Sequence, residues 1–223
     1  MTAAGAIRKI DCPSCGGSIG IKAAGYTVSL ACHYCGSLLD VASPDVKLVS
    51  QYHQAVHDLT IPLGRRGTID GTIWEVIGYL ERSDDETSWS EYLLFNPYAG
   101  YRWLIDADGE WTLGSAVPSP PSSYGSFGTR WNFRQYSRAY DPVTVTTDYV
   151  LGEFYWRVKA GDTAQSSFFE GEQDSLSLEQ SATETNWTQI SPLPAGFVET
   201  TFGLERPTRA AVGQPPTAKS ATG

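Results

Sequence analysis

The residues best placed to do chemistry in this 223-residue chain are four cysteines. Cys12-Pro13-Ser14-Cys15 and Cys32-His33-Tyr34-Cys35 are two CxxC pairs with sixteen residues between them. Two residues between cysteines let one tight turn present both sulfurs to a single ion. Two such turns complete a tetrahedral shell of thiolates around Zn2+. Gly16 and Gly36 each follow a pair, where the chain must bend around the sulfurs and a left-handed backbone is useful. The expected ligand set is Cys12, Cys15, Cys32 and Cys35. Four sulfurs close the shell, so the metal is read as structural. His33 lies inside the second turn and is read as an exposed turn residue. Two disulfides or a redox CxxC fit less well, because the spacing and flanking glycines point to a metal and no βαβ pattern surrounds either pair.

Other reactive side chains form weaker patterns. His53 and His57 are spaced i, i+4 but lack an HExxH context, and the plain reading is a half-exposed helix face. Asp106-Ala107-Asp108-Gly109 reads as a tight turn, because the further ligands of a calcium loop are missing. Glu91, Glu153, Glu179 and Glu184 could run acid–base chemistry if any two converged, but solvated sheet-face carboxylates are the simpler reading. No GxSxG elbow, P-loop or GxGxxG stands in its required context.

These residues need elements to hold them. Between the cysteine pairs, Ile19, Ile21, Tyr26, Val28 and Leu30 alternate with small or polar residues, which predicts two short strands and hence a zinc ribbon over residues 1–44. Some forty residues cannot bury an adequate core, so the metal must supply stability. Residues 45–62 are expected to be a linker helix, with Val46, Val49, Val56 and Leu59 as its apolar stripe. Residues 63–205 read as β throughout. Their centre is WSEYLLFNPYAGYRWLI, residues 89–105, two strands joined by a five-residue connection. Apolar side chains on both faces of the first strand place it centrally. Strands are also expected at 72–80, 110–113 and 149–158, with Phe154, Trp156 and Val158 on one face and Glu153 on the other. Residues 114–129, rich in Pro, Ser and Gly, are expected to be a long loop or flap. The fold class is mainly β: a small zinc ribbon, one linking helix, then a sandwich or barrel-like domain with an independent core. Residues 206–223 hold no large apolar side chain and are expected to be a disordered tail.

Charge narrows the partners. The net charge is −9. Residues 63–205 carry nine basic and 21 acidic residues, a net of −12. Such a domain repels phosphates at long range, and Arg8, Lys9 and Lys22 give the ribbon a thin basic footprint, so nucleic acid is not the expected partner. Basic protein surfaces or cations such as polyamines fit better. No apolar run is long enough to span a bilayer, and the start of the chain lacks the apolar core of a signal peptide. Metal-spaced cysteines suit a reducing compartment, the cytoplasm.

Several segments together resemble a known bacterial family, the domain-of-unknown-function 4178 family. They are GTIWEVIG (71–78), WSEYLLFNPYAGYRWL (89–104), GEWTL (109–113), YVLGEFYWRVKAG (149–161) and LSLEQSATETNW (176–187). The resemblance covers about residues 63–190, and a preceding zinc ribbon is a frequent companion. It implies a β-rich domain without an assigned reaction, often encoded beside envelope-stress proteins and polyamine-synthesis-like enzymes, with some relatives continuing into membrane segments. The expected function is therefore a non-enzymatic zinc-ribbon adaptor that binds a protein partner, in the cytoplasm or peripheral to the inner membrane within a membrane-associated complex. The alternatives are a carboxylate-dependent enzyme in the β domain and nucleic-acid binding through the ribbon.

Overall fold

The computed structural model describes residues 8–43, 45–51 and 57–204. The chain opens with two strands, β1 (Arg8–Asp11) and β2 (Ser18–Ile21), paired as a two-stranded sheet. β3 (Ser29–Ala31), β4 (Leu38–Asp40) and β5 (Lys47–Ser50) follow, then β6 (Arg66–Ile69), β7 (Thr72–Ser83), β8 (Ser88–Asn96), β9 (Gly100–Ala107) and β10 (Glu110–Ala116). Three short strands come next: β11 (Ser122–Tyr124), β12 (Gly128–Trp131) and β13 (Arg134–Arg138). The chain then forms β14 (Val143–Phe154), β15 (Thr163–Glu170), β16 (Ser175–Gln180), β17 (Thr185–Pro192) and a single short helix, α1 (Phe197–Phe202).

The central hairpin forms as its residues predict. β8 and β9 pair from Ser90 with Asp106 to Asn96 with Gly100. The Asn96 carboxamide oxygen accepts the backbone N–H groups of Tyr98 and Ala99, both at 2.8 Å, which fixes the turn. Tyr92, Leu93, Leu94 and Phe95 are all buried, so both faces of β8 are covered. β7 to β10 form one meander and β14 to β17 another. β7 pairs with β14, and β10 pairs with β17. All contacts are antiparallel, and together they close a ring of eight strands. An eight-stranded ring has an interior just wide enough to be filled by side chains.

Three apolar clusters pack against this ring. Trp74, Val76, Tyr92, Leu94 and Leu104 pack beneath Ile61 and the buried Val198 and Phe202 of α1. Tyr136 of β13 lies with Phe169 and Leu176 in a separate cluster, so the β12–β13 hairpin caps strands β15 and β16. A third cluster, with Leu80, Leu93, Phe95, Val150 and Phe154, also takes in Ala23, Ala31 and Leu38 of the ribbon. Gly78 and Gly152 are directly paired where β7 meets β14. A side chain on Gly78 would strike the Glu153 carbonyl, and Gly152 has φ 87° with its open side against the Ile77 carbonyl.

Three sequence expectations are corrected. The predicted linker helix is not formed at residues 47–50, which are β5 paired with β4, nor at residues 57–62, which are irregular. Leu48 and Val49 are both exposed on this edge strand, and β-branched Val suits a strand once β4 offers a partner. Residues 52–56, with His53, lie outside the described residues, as does the tail expected to be disordered. The proline-rich segment is not a long loop: β11 and β12 pair within it. Finally, the strand expected to reach residue 158 ends at Phe154, and Glu153 is buried, not on a solvated face.

The sheet also runs across the boundary at which an independent core is expected. β14 pairs with β15 through residues 143–146, with β7 through 146–152 and with β3 through 152–154. β3 brings β4 and β5 with it, so half of the ribbon is an extension of the large sheet.

Candidate metal centre and carboxylate sites

The two CxxC turns are built alike. Cys12 N–H donates to Gly17 O at 2.9 Å and Gly16 N–H to Cys12 O at 2.8 Å. Cys32 N–H donates to Ser37 O at 2.9 Å and Gly36 N–H to Cys32 O at 2.7 Å. Gly16 and Gly36 have φ of 74° and 72°, the left-handed backbone that their type permits. The four Sγ atoms lie within 4.8 Å of one another. A tetrahedron with metal–sulfur bonds of about 2.3 Å has edges of about 3.8 Å. The Cys12–Cys35 and Cys15–Cys32 sulfurs are each 3.9 Å apart. The cluster therefore fits a metal ion, and its apolar floor of Ile10, Ile19, Leu30, Leu39 and Val41 shields it from one side.

The protein prepares the sulfurs unevenly. Burial pushes the Cys32 thiol up to about 12, against N–H donors from Tyr34 and Cys35. Burial also works to raise Cys35, but the Ser37 hydroxyl 3.3 Å away, its backbone N–H and the neighbouring thiols outweigh it and bring Cys35 down to about 6. A cation supplies what Cys32 lacks, a reason to ionise in a buried place. His33 is half-buried rather than exposed, and burial lowers its pKa.

The carboxylates are placed in ways that sequence spacing does not reveal. Glu153 reaches into the ribbon. Its carboxylate accepts Lys22 N–H at 2.7 Å, Ala23 N–H at 3.0 Å and the Thr27 hydroxyl at 2.9 Å. Beside it, Glu75 pairs with Lys22 at 3.0 Å and Arg66 at 2.7 Å. Glu153 is thus a clamp between barrel and ribbon. Glu91 and Glu179 do converge, through a residue without a motif. Arg82 Nη1 lies 3.3 Å from Glu91 and 2.6 Å from Glu179. β16 is not hydrogen-bonded to β7 or β8, so this contact crosses the ring. Trp89 Nε1 also donates to Glu91 at 2.7 Å. Burial raises the Glu91 pKa, with Arg82 opposing. Glu184 stays outside this group and accepts from Asn186 at 3.5 Å. His57 pairs with Glu81 at 2.7 Å and stacks on Tyr149 at 4.2 Å.

Of the tyrosines in the β8–β9 hairpin, Tyr98 at the turn is 87 % exposed whereas Tyr92 is buried. Asp106 accepts Gly109 N–H at 2.9 Å, so the DxDG segment is a turn as expected. A groove of about 450 Å³ runs where ribbon and barrel meet, with His33, Asp58, Leu63 and Glu153 among its walls.

A family described as "Domain of unknown function (DUF4178)" matches residues 62–194. No curated protein matches the chain, and no solved structure does.

Proposed function

We propose that this chain, which belongs to the DUF4178 family, is a non-enzymatic binding protein in which a zinc ribbon and a β barrel act as one rigid adaptor. The observation that carries the reading is the set of Cys12, Cys15, Cys32 and Cys35, whose four sulfurs lie within 4.8 Å of one another; a shell of four thiolates is normally structural rather than catalytic. Zn2+ is the ion that a four-thiolate shell of this spacing favours. Its role is to hold β3 and β4 in register for the barrel. The groove between the two parts is the concave surface that both contribute, and a protein partner contacting both would sit there. The family resemblance suggests a membrane-associated complex in envelope homeostasis, on the cytoplasmic side. The acidic surface favours a basic partner face or a cation such as a polyamine.

One observation favours the enzyme reading: Glu91 and Glu179 share Arg82. The same contact weighs against it, because the Arg82 guanidinium favours the ionised form of both carboxylates, whereas proton transfer needs one of them protonated. Nucleic-acid binding through the ribbon is less well supported, since Arg8 donates to Val41 O and Lys22 pairs with Glu75.

Affinity capture from cell extract at low and high salt, with the wild-type chain and Cys32→Ser, tests the adaptor reading. It expects a protein partner retained by the wild type, weakened by salt and lost with Cys32→Ser. A turnover that disappears in Glu91→Gln or Glu179→Gln while the metal remains bound would replace it with the enzyme.

A further inference from the structure

The three-stranded flap β11–β13 differs in charge from everything around it. Residues 111–140 contain three arginines, Arg130, Arg134 and Arg138, and no acidic residue. The rest of residues 63–205 carries six basic against 21 acidic residues. The flap is tied to the barrel by its far side: Tyr136 donates to Asp174 at 2.9 Å, and β13 pairs with β15 at Ser137 and Arg138. Its near side is exposed, where Arg130 lies 4.6 Å over the Tyr124 ring.

The tips of the flap are the unusual feature. β12 and β13 are joined by the two-residue turn Asn132-Phe133, with Trp131 paired to Arg134. Both turn residues have positive φ, 48° and 64°. A hairpin turn of this kind is best served by Asn followed by Gly. Here the second position holds Phe133, 99 % exposed, which gains no burial for its strained backbone. At the other end of β12 the connecting turn carries Phe127, 72 % exposed. A bulky apolar residue kept at strain on a convex tip is explained by something it touches outside the chain.

We propose that this flap docks on an anionic phospholipid bilayer, with Phe133 entering the interface and Arg130 facing lipid phosphate. A convex tip cannot enclose a ligand, and a lone fully exposed ring suits insertion between headgroups, where aromatic side chains are favoured. Arg134 pairs with Asp174 at 2.9 Å, so Arg130, stacked on Tyr124 at the exposed side of the flap, is the charge that turns this face toward a negative surface. The proposal concerns strands other than those that hold the ribbon, so it stands or falls separately from the adaptor reading.

Co-sedimentation of the full chain with vesicles tests it. Vesicles of equal parts phosphatidylcholine and phosphatidylglycerol are expected to bind the protein, and vesicles of phosphatidylcholine alone are not. Binding should fall with added salt. Phe133→Ala and Arg130→Glu are each expected to lower it by roughly tenfold. Phe133→Trp should retain it, as should Tyr98→Ala, which alters an exposed ring on another turn. Phe133→Gly separates docking from folding: it should lose vesicle binding while its melting temperature stays level or rises, because Gly relieves the backbone. No sedimentation, equal sedimentation on both vesicle types, or variants that bind like the wild type would overturn the proposal. Phe133-dependent binding to a single-stranded oligonucleotide, with vesicles ignored, would overturn it in favour of a nucleic-acid surface.

Discussion

At the residue scale, Glu153 shows how a side chain's partners decide its role. Its neighbours in the strand alternate as on an ordinary sheet, and sequence alone suggests a solvated carboxylate. The structure gives it three donors from residues 22, 23 and 27. Two are backbone N–H groups, which have no sequence signature at all. Glu153→Ala leaves the Lys22 and Ala23 N–H groups without this acceptor, while the Thr27 hydroxyl keeps the Ala23 carbonyl at 3.1 Å, and should destabilise the chain by on the order of 3 kcal/mol in urea unfolding. A loss no larger than that of an exposed Glu→Ala control would mean the clamp is not formed.

Glu91 offers a second residue-scale test. Burial raises its pKa in the folded chain, against the opposing Arg82. Between the unfolded value of about 4.3 and the raised folded value, the native state holds a proton that the unfolded state has released. Glu91 therefore contributes a fall in stability as pH rises through that window. Glu91→Gln should remove this slope from the pH dependence of unfolding. A slope unchanged in the variant would show that Glu91 titrates as if exposed.

At the scale of elements, the pairing of β3 with β14 joins metal chemistry to barrel stability. Ala23, Ala31 and Leu38 pack with Ile77 and Phe154, so loss of the ribbon's order bares part of the barrel's own core. Cys32→Ser, or a strong chelator, should lower the melting temperature of the whole chain. Amides near Gly152 and Phe154 should then exchange faster than those of the β8–β9 hairpin. Uniform protection after metal removal would mean that the barrel is indifferent to the ribbon.

The same scale shows what was legible in the sequence. The β8–β9 hairpin was, because its apolar pattern, turn residues and pairing are all local. The four-cysteine cluster was, because each knuckle is a local turn and the pairs share one spacing. β5 was not, since four residues with Val and Leu can satisfy a helix pattern until β4 supplies a partner. β11 and β12 were hidden by Pro, Ser and Gly, whose composition suggests a loop although three or four residues suffice for a short strand. Arg82 was not found either. It stands nine residues from Glu91 but 97 from Glu179, and only closure of the ring brings them together.

At the scale of the molecule, this is an acidic barrel with one arginine-bearing flap at its surface and a four-cysteine ribbon built into its sheet. The described residues contain no helix long and apolar enough to cross a membrane. Membership of the DUF4178 family covers the barrel, residues 62–194, and leaves the ribbon outside the match. What unites the two parts is physical: shared strands, a shared apolar cluster and the Glu153 clamp. That unity depends on the four sulfurs being held together. X-ray absorption at the zinc edge, with metal content measured on the same purified protein, tests this most directly. The account predicts about one zinc per chain and four sulfur neighbours at about 2.3 Å. Absence of metal, a shell containing nitrogen or oxygen, or disulfides linking Cys12, Cys15, Cys32 and Cys35 would contradict it.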